Sequence, residues 1–217
     1  MTVRVLAAAL LLAACSSPSV NGASPPTVSD PASYDAQFHD GTRALEALER
    51  LASDDFEGRK AGEPGNLKAQ DWIEGRLDAL GVSPLYSGGY RVPFTAKAFS
   101  ASRDDVSGTN LLATMPGQTA ADGPVIVLSA HFDHLGETDG EIYNGADDNA
   151  SGVVALLEVI DWFKNNPPEN TLVFAFFDAE EEGISGSAAF VAALPEDLGG
   201  RLALNLNLDM VARADKG

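Results

Sequence analysis

Two unbroken apolar runs, "PVIVLSA" at residues 124–130 and "TLVFAFF" at 171–177, constrain the fold of this chain most tightly. A strand with one face in water alternates apolar and polar residues. A run without alternation must be covered on both faces, as in the middle of a parallel sheet. Between the runs, "SGVVALLEVIDWF" repeats apolar residues at helical spacing (Val153, Leu156, Leu157, Ile160, Phe163), and Asn165-Asn166-Pro167-Pro168 stops it. Parallel neighbours need a long crossover, usually a helix. A short helical stretch, "SGSAAFVAAL", ends at Pro195, and a third strand-like run, "RLALNLNLD", follows it. The pattern predicts an α/β domain with a mostly parallel central sheet flanked by helices.

Upstream, "TRALEALERLA" places Leu45, Leu48 and Leu51 at helical spacing. "NLKAQDWIEGRLDALG" predicts a second helix, with Asn66 as its N-cap, Gly81 as its stop, and Trp72, Ile73, Leu77 and Leu80 on one face. "SDDFEGRKAGEPG" between them reads as loop. "YRVPFTAKAF", weakened by Pro93, and "TNLLATMPG" read as strands near a sheet edge. The 217 residues suffice for one domain with a core, and 45% of them are apolar. The net charge of -18 argues against nucleic acid, which requires a basic face.

Each buried run ends in groups able to bind a cation. The first runs into His131-Phe132-Asp133-His134, the second into Asp178-Ala179-Glu180-Glu181-Glu182, the third into Asp209, and Asp147-Asp148 precede the crossover helix. Ligands of open α/β sheets bind outside the carboxyl ends of the strands. Singly, these features have bland readings: a helix N-cap, a solvated acidic run, a hydrogen-bonded loop histidine. Together they crowd acids onto one edge, with no Lys or Arg between Asp104 and Asp161. Divalent cations would compensate them. Imidazole and carboxylates without thiolate suit zinc, then manganese or cobalt, rather than calcium. The surplus of carboxylates points to two ions.

The N-terminus, "MTVRVLAAALLLAACSS", carries Arg4, an apolar stretch too short to span a bilayer, and the sole cysteine, Cys15. It resembles a bacterial lipoprotein signal. That resemblance implies a signal peptide over 1–14, a lipidated Cys15 heading a Ser/Pro-rich tether to residue 36, and a folded part over 37–217. It also implies export to a membrane facing the periplasm or cell surface, with the outer membrane favoured by Ser16 after Cys15.

"SAHFDHLG", "GADDNASG", "DAEEEGISGS" and "LNLDM", in this order, resemble the M28 family of zinc aminopeptidases. The resemblance runs from about residue 38 to the end. It implies a zinc-exopeptidase-like fold and removal of N-terminal residues from peptides by a water activated between two zinc ions. It further implies that His131 and Asp209 hold one zinc, Glu181 holds the second, and Asp147 bridges both. Asp133 would orient the His131 imidazole, and Glu180 would be the general base. The peptide bond linking Asp147 to Asp148 would be cis, Asp148 would serve the backbone and helix start, and His134 would shape its loop.

The family has a further histidine ligand downstream of the last aspartate, whereas only "MVARADKG" follows Asp209 here. The expectation is therefore a domain lacking its C-terminal part, with a second zinc site short of its imidazole. Two other readings stand beside it: an impaired metal-binding or structural lipoprotein of the same fold, and substitution by His134 or His39, neither of which follows the last strand. Among enzymes, the single-zinc glutaminyl cyclases share the fold and are the rival.

Overall fold

A computed structural model describes residues 41–96, 105–118 and 122–213. The signal-like N-terminus, Cys15, the tether and His39 lie outside the described residues.

The chain opens with α1 (Gly41–Leu51), an irregular 3-10 segment (Asp54–Arg59) and α2 (Pro64–Leu80). Strands β1 (Ser83–Pro84), β2 (Arg91–Ala96), β3 (Val106–Met115) and β4 (Val125–His131) follow, then a hairpin of β5 (Gly136–Thr138) and β6 (Glu141–Tyr143). A helical turn (Ala146–Ser151) leads into the crossover helix α3 (Gly152–Asn165) and strand β7 (Thr171–Phe177). Helices α4 (Ser185–Ala193) and α5 (Glu196–Gly199) precede strand β8 (Leu202–Asn207).

The sheet order is β1-β3-β7-β4-β8, with β2 also paired to β3. Strands β7 and β4 are parallel neighbours, as expected of two runs buried on both faces, and β8 lies parallel against β4 although it is mostly exposed. β3 lies antiparallel against β7, and β1 and β2 lie antiparallel against β3, so the sheet is mixed. The parallel part is its centre and one edge.

Alternation along β7 divides the core. Leu172, Phe174 and Phe176 join Leu128 and Ala130 of β4 and pack under α1, α2 and α3, with Leu51, Ile73, Leu77, Leu156, Leu157 and Ile160. Val173, Ala175 and Phe177 face the other way, with Val125, Val127, Phe190 and Leu198. Each such side chain larger than alanine contributes roughly 1.5–3 kcal/mol by leaving water. Both faces of β7 are covered, which is why its sequence shows no alternation.

Gly81 ends α2 in a left-handed conformation (φ 69°), as its sequence position predicts. Asn66 is not the cap. The helix begins three residues earlier, Glu63 takes the cap position before Pro64, and Asn66 lies buried inside the first turn. Pro at the first helical position needs no donor there, which lets the helix start upstream. No described helix is long and apolar enough to cross a membrane.

Candidate metal centre

The carboxyl ends of β4, β7 and β8 lie side by side, so the residues following them share one edge. His131, the last residue of β4, is 3% exposed. Its Nε2 faces Asp148 Oδ1 at 3.2 Å and Asp209 Oδ1 at 3.6 Å. Its Nδ1 lies 3.2 Å from the Asp133 carbonyl and 3.6 Å from that residue's carboxylate. Burial opposes the imidazolium, but Asp133, then Glu180 and Asp209, outweigh it and raise the pKa to about 9.

Asp133 is fully buried and ties two loops together. Its oxygens accept the Glu180 N–H at 3.0 Å and the Glu181 N–H at 3.2 Å. Glu180 thus stands beside His131 on a fixed backbone. Burial raises its carboxyl pKa, His131 offsets that, and Asp133, Glu181 and Asp209 add to it. Asp178, also buried, accepts from Asn66 Nδ2 and from the N–H groups of Thr109 and Ala179. Asn66 is therefore a strut between α2 and the loop carrying Glu180.

The aspartate pair divides differently from the sequence expectation. Asp148, not Asp147, joins His131 and Asp209 in one group, and His134 and Glu181 in another, with donor atoms within 4.8 Å in each. Asp147 Oδ1 instead accepts the Ala212 N–H at 3.1 Å, and its Oδ2 is buried without a hydrogen-bond partner among the described residues. The cis peptide bond also falls one residue later, between Asp148 and Asn149. In an irregular turn the pairing of side chain with direction changes at every residue, and sequence periodicity gives no register there.

Asn149 is a further residue that the sequence reading passed over. Its Nδ2 donates to the Leu208 carbonyl at 2.9 Å, and its Oδ1 accepts from Gly152 and Met210 N–H. Ser151 Oγ accepts the Val211 N–H at 3.1 Å. These bonds lace the turn to residues 208–211 and so hold Asp209 opposite His131. The polar spacing of "DDNAS" was the available signal.

A basic partner exists after all. Arg59, 0% exposed, reaches under the site from far upstream. Burial lowers its pKa to about 10, partly offset by Asp133 and Asp148. The partner is near in space and remote in sequence, separated from the aspartates by a helix and several strands.

The first group fits zinc. Two ligands of a tetrahedral ion with bonds of ~2.0–2.1 Å stand roughly 3.3 Å apart, and the contacts of His131 with Asp148 and Asp209, at 3.2 and 3.6 Å, bracket that spacing. In the second group His134 Nδ1 and Glu181 Oε1 are 2.7 Å apart. That is a hydrogen bond, shorter than the spacing of two ligands on one ion. Gly145 (φ 53°) backs this pair. A Cβ there would lie 2.6 Å from the His134 ring and 2.1 Å from the Asp148 carbonyl oxygen.

A mixed sheet that brings imidazole and carboxylates together at the C-terminal ends of its parallel strands defines an α/β chain with a candidate metal centre. More narrowly, the chain belongs to peptidase family M28, whose sequence model matches residues 110–217. Among relatives, it is 36% identical over 126 residues to the "Probable lipoprotein aminopeptidase LpqL" of Mycobacterium tuberculosis, covering 58% of this chain and 24% of that protein. The chain spans about half, or less, of the length of the curated relatives it matches. Among solved structures, the zinc aminopeptidase BSAP of Bacillus subtilis superposes with TM-score 0.63 at 16% identity, covering 79% of this chain and 69% of that one. A glutaminyl cyclase from an Acidobacteriales bacterium superposes with TM-score 0.66 at 20% identity, covering 88% and 63%. At these identities the superpositions establish the fold.

Proposed function

We propose that this chain is the catalytic portion of a zinc-dependent aminopeptidase, acting on peptides with a free N-terminus. The carrying observation is the meeting of His131, Asp148 and Asp209 at 3.2 and 3.6 Å beside Glu180. His131, Asp148 and Asp209 would hold one zinc, and Glu181 and Asp148 are the carboxylates available to a second, while His134 is hydrogen-bonded to Glu181. When bound, zinc supplies Lewis acidity toward the scissile carbonyl and makes water a better acid.

The chain's own groups do the rest. Glu180 accepts the proton of the attacking water and returns it to the leaving amine. Asp133 holds the Glu180 backbone and the His131 ring in register. The carboxylates at the edge attract the substrate's terminal ammonium, which favours cleavage at the first residue.

The test is hydrolysis of an amino-acid anilide by zinc-loaded protein and by Glu180→Gln. The variant should keep its zinc content and lose about 10²–10⁴-fold in turnover. Turnover near wild type in a metal-replete variant would sink the role. The cyclase superposition supports a second reading, and an N-terminal glutaminyl peptide distinguishes it: release of glutamine supports the aminopeptidase, cyclisation the rival.

The lipoprotein resemblance and the similarity to a lipoprotein aminopeptidase support a further arrangement. Residues 1–14 act as an export signal, Cys15 takes the lipid, and the domain from residue 37 is tethered outside the cytoplasm. Cys15→Ser should release the protein from membranes.

A further inference from the structure

We infer that Arg59 is a positioning residue that presents His131 and Asp148 to the metal; the inference rests on the zinc reading above. Its guanidinium is fully buried and hydrogen-bonded to main chain. Nε donates to the Phe132 carbonyl at 2.8 Å, Nη1 to Leu51 and Asn144 carbonyls at 2.8 and 2.7 Å, and Nη2 to the Gly145 carbonyl at 2.9 Å. One rigid fork thus clamps three segments: the end of α1, the residue after His131, and the two residues leading into the aspartate turn. The acceptors are carbonyls, so what Arg59 fixes is backbone position. Neutral donors could bind carbonyls equally well. A buried cation is costly unless charge of opposite sign faces it, and here Asp133 and Asp148 do.

The backbone agrees. Glu57, Gly58 and Arg59 are successive left-handed residues (φ 52°, 68°, 51°), a conformation disfavoured for Glu and Arg. It is held by surrounding bonds: the Arg59 carbonyl accepts from Asn66 Nδ2 at 3.1 Å and from the His134 N–H at 3.3 Å. The segment therefore orders α2, the His131–His134 loop and the aspartate turn around one side chain.

Zinc affinity by competition titration tests this, with Arg59→Lys, Arg59→Gln and, as a control for plain destabilisation, Leu77→Ala. Lysine keeps the charge but cannot span the Phe132 and Gly145 carbonyls, and glutamine loses both span and charge. Both Arg59 variants should bind zinc about 10–100-fold more weakly than wild type, glutamine more so, and excess zinc should restore Arg59→Lys turnover. Leu77→Ala should lower the melting temperature and leave zinc affinity unchanged. Folded Arg59 variants with wild-type zinc affinity would overturn the inference. So would failure of both to show cooperative unfolding at low temperature, which would make Arg59 a staple of the fold instead. If wild-type protein binds no zinc, the zinc reading itself fails, a result distinct from either.

Discussion

At the scale of single residues, Asp147 and Asp148 are chemically identical neighbours with different surroundings. Asp148 Oδ1 faces His131 Nε2, while Asp147 accepts one N–H and keeps its other oxygen buried and, among the described residues, unpartnered. Asp148→Asn should therefore remove bound zinc. Asp147→Asn should keep it, with a stability change of no more than about 1 kcal/mol, since an amide is easier to bury than a charge. Zinc per chain, measured by atomic emission, checks both, and equal loss in the two would refute the division. Asp178 makes a pH prediction. Burial lifts its pKa to about 6, helped by Asp133 and opposed by the Thr109, Asn66 and Ala179 donors. The folded state then holds this proton more tightly than the unfolded state. The contribution to stability is complete below about pH 3.8 and fades as pH rises through about 6, with a slope of about 1.4 kcal/mol per pH unit. In the metal-free protein, the stability difference between wild type and Asp178→Asn should shift in favour of the variant across that window. Parallel urea midpoints from pH 4 to 7 would count against it.

At the scale of elements, the sheet's centre and its β8 edge differ in what they bury. Phe174 of β7 is fully buried beneath three helices, whereas Leu204 of β8 is 55% exposed. Phe174→Ala should cost about 3–5 kcal/mol through lost burial and a cavity, and Leu204→Ala within about 0.5 kcal/mol. Urea denaturation of both would show it, and similar costs would mean that β8 is covered in solution. The same contrast explains how legible each element was. β4, α3 and β7 are buried on a fixed period, and their sequences repeat that period. α2 was found, but its start was not: Pro64 and Asn66 compete for the first turn, and the distant Asp178 carboxylate decides what Asn66 does. The sheet's mixed direction was not legible either, because β3 is long and apolar enough to pair either way.

At the scale of the whole molecule, the charge of -18 acts on everything. Repulsion among carboxylates opposes compaction, and a bound cation relieves it where it is densest. Chelation should therefore lower the melting temperature as well as remove activity, and zinc should restore both. The stabilisation should follow mass action, growing by about 1.4 kcal/mol for each tenfold excess of zinc over its Kd. A melting temperature indifferent to zinc would show that the acidic edge is compensated without metal. The sequence by itself determined the parallel strands, the crossover helix and the edge where His131, Glu180, Glu181 and Asp209 gather. Those features follow from burial on a regular period and from the rule that strands end together. Only the tertiary structure decided that Asp148 rather than Asp147 faces His131, that Asn149 ties down Asp209, and that Arg59 is a buried cation beside the aspartate turn. These are contacts between irregular segments distant in sequence. No period runs through such segments, so three-dimensional proximity alone assigns their partners.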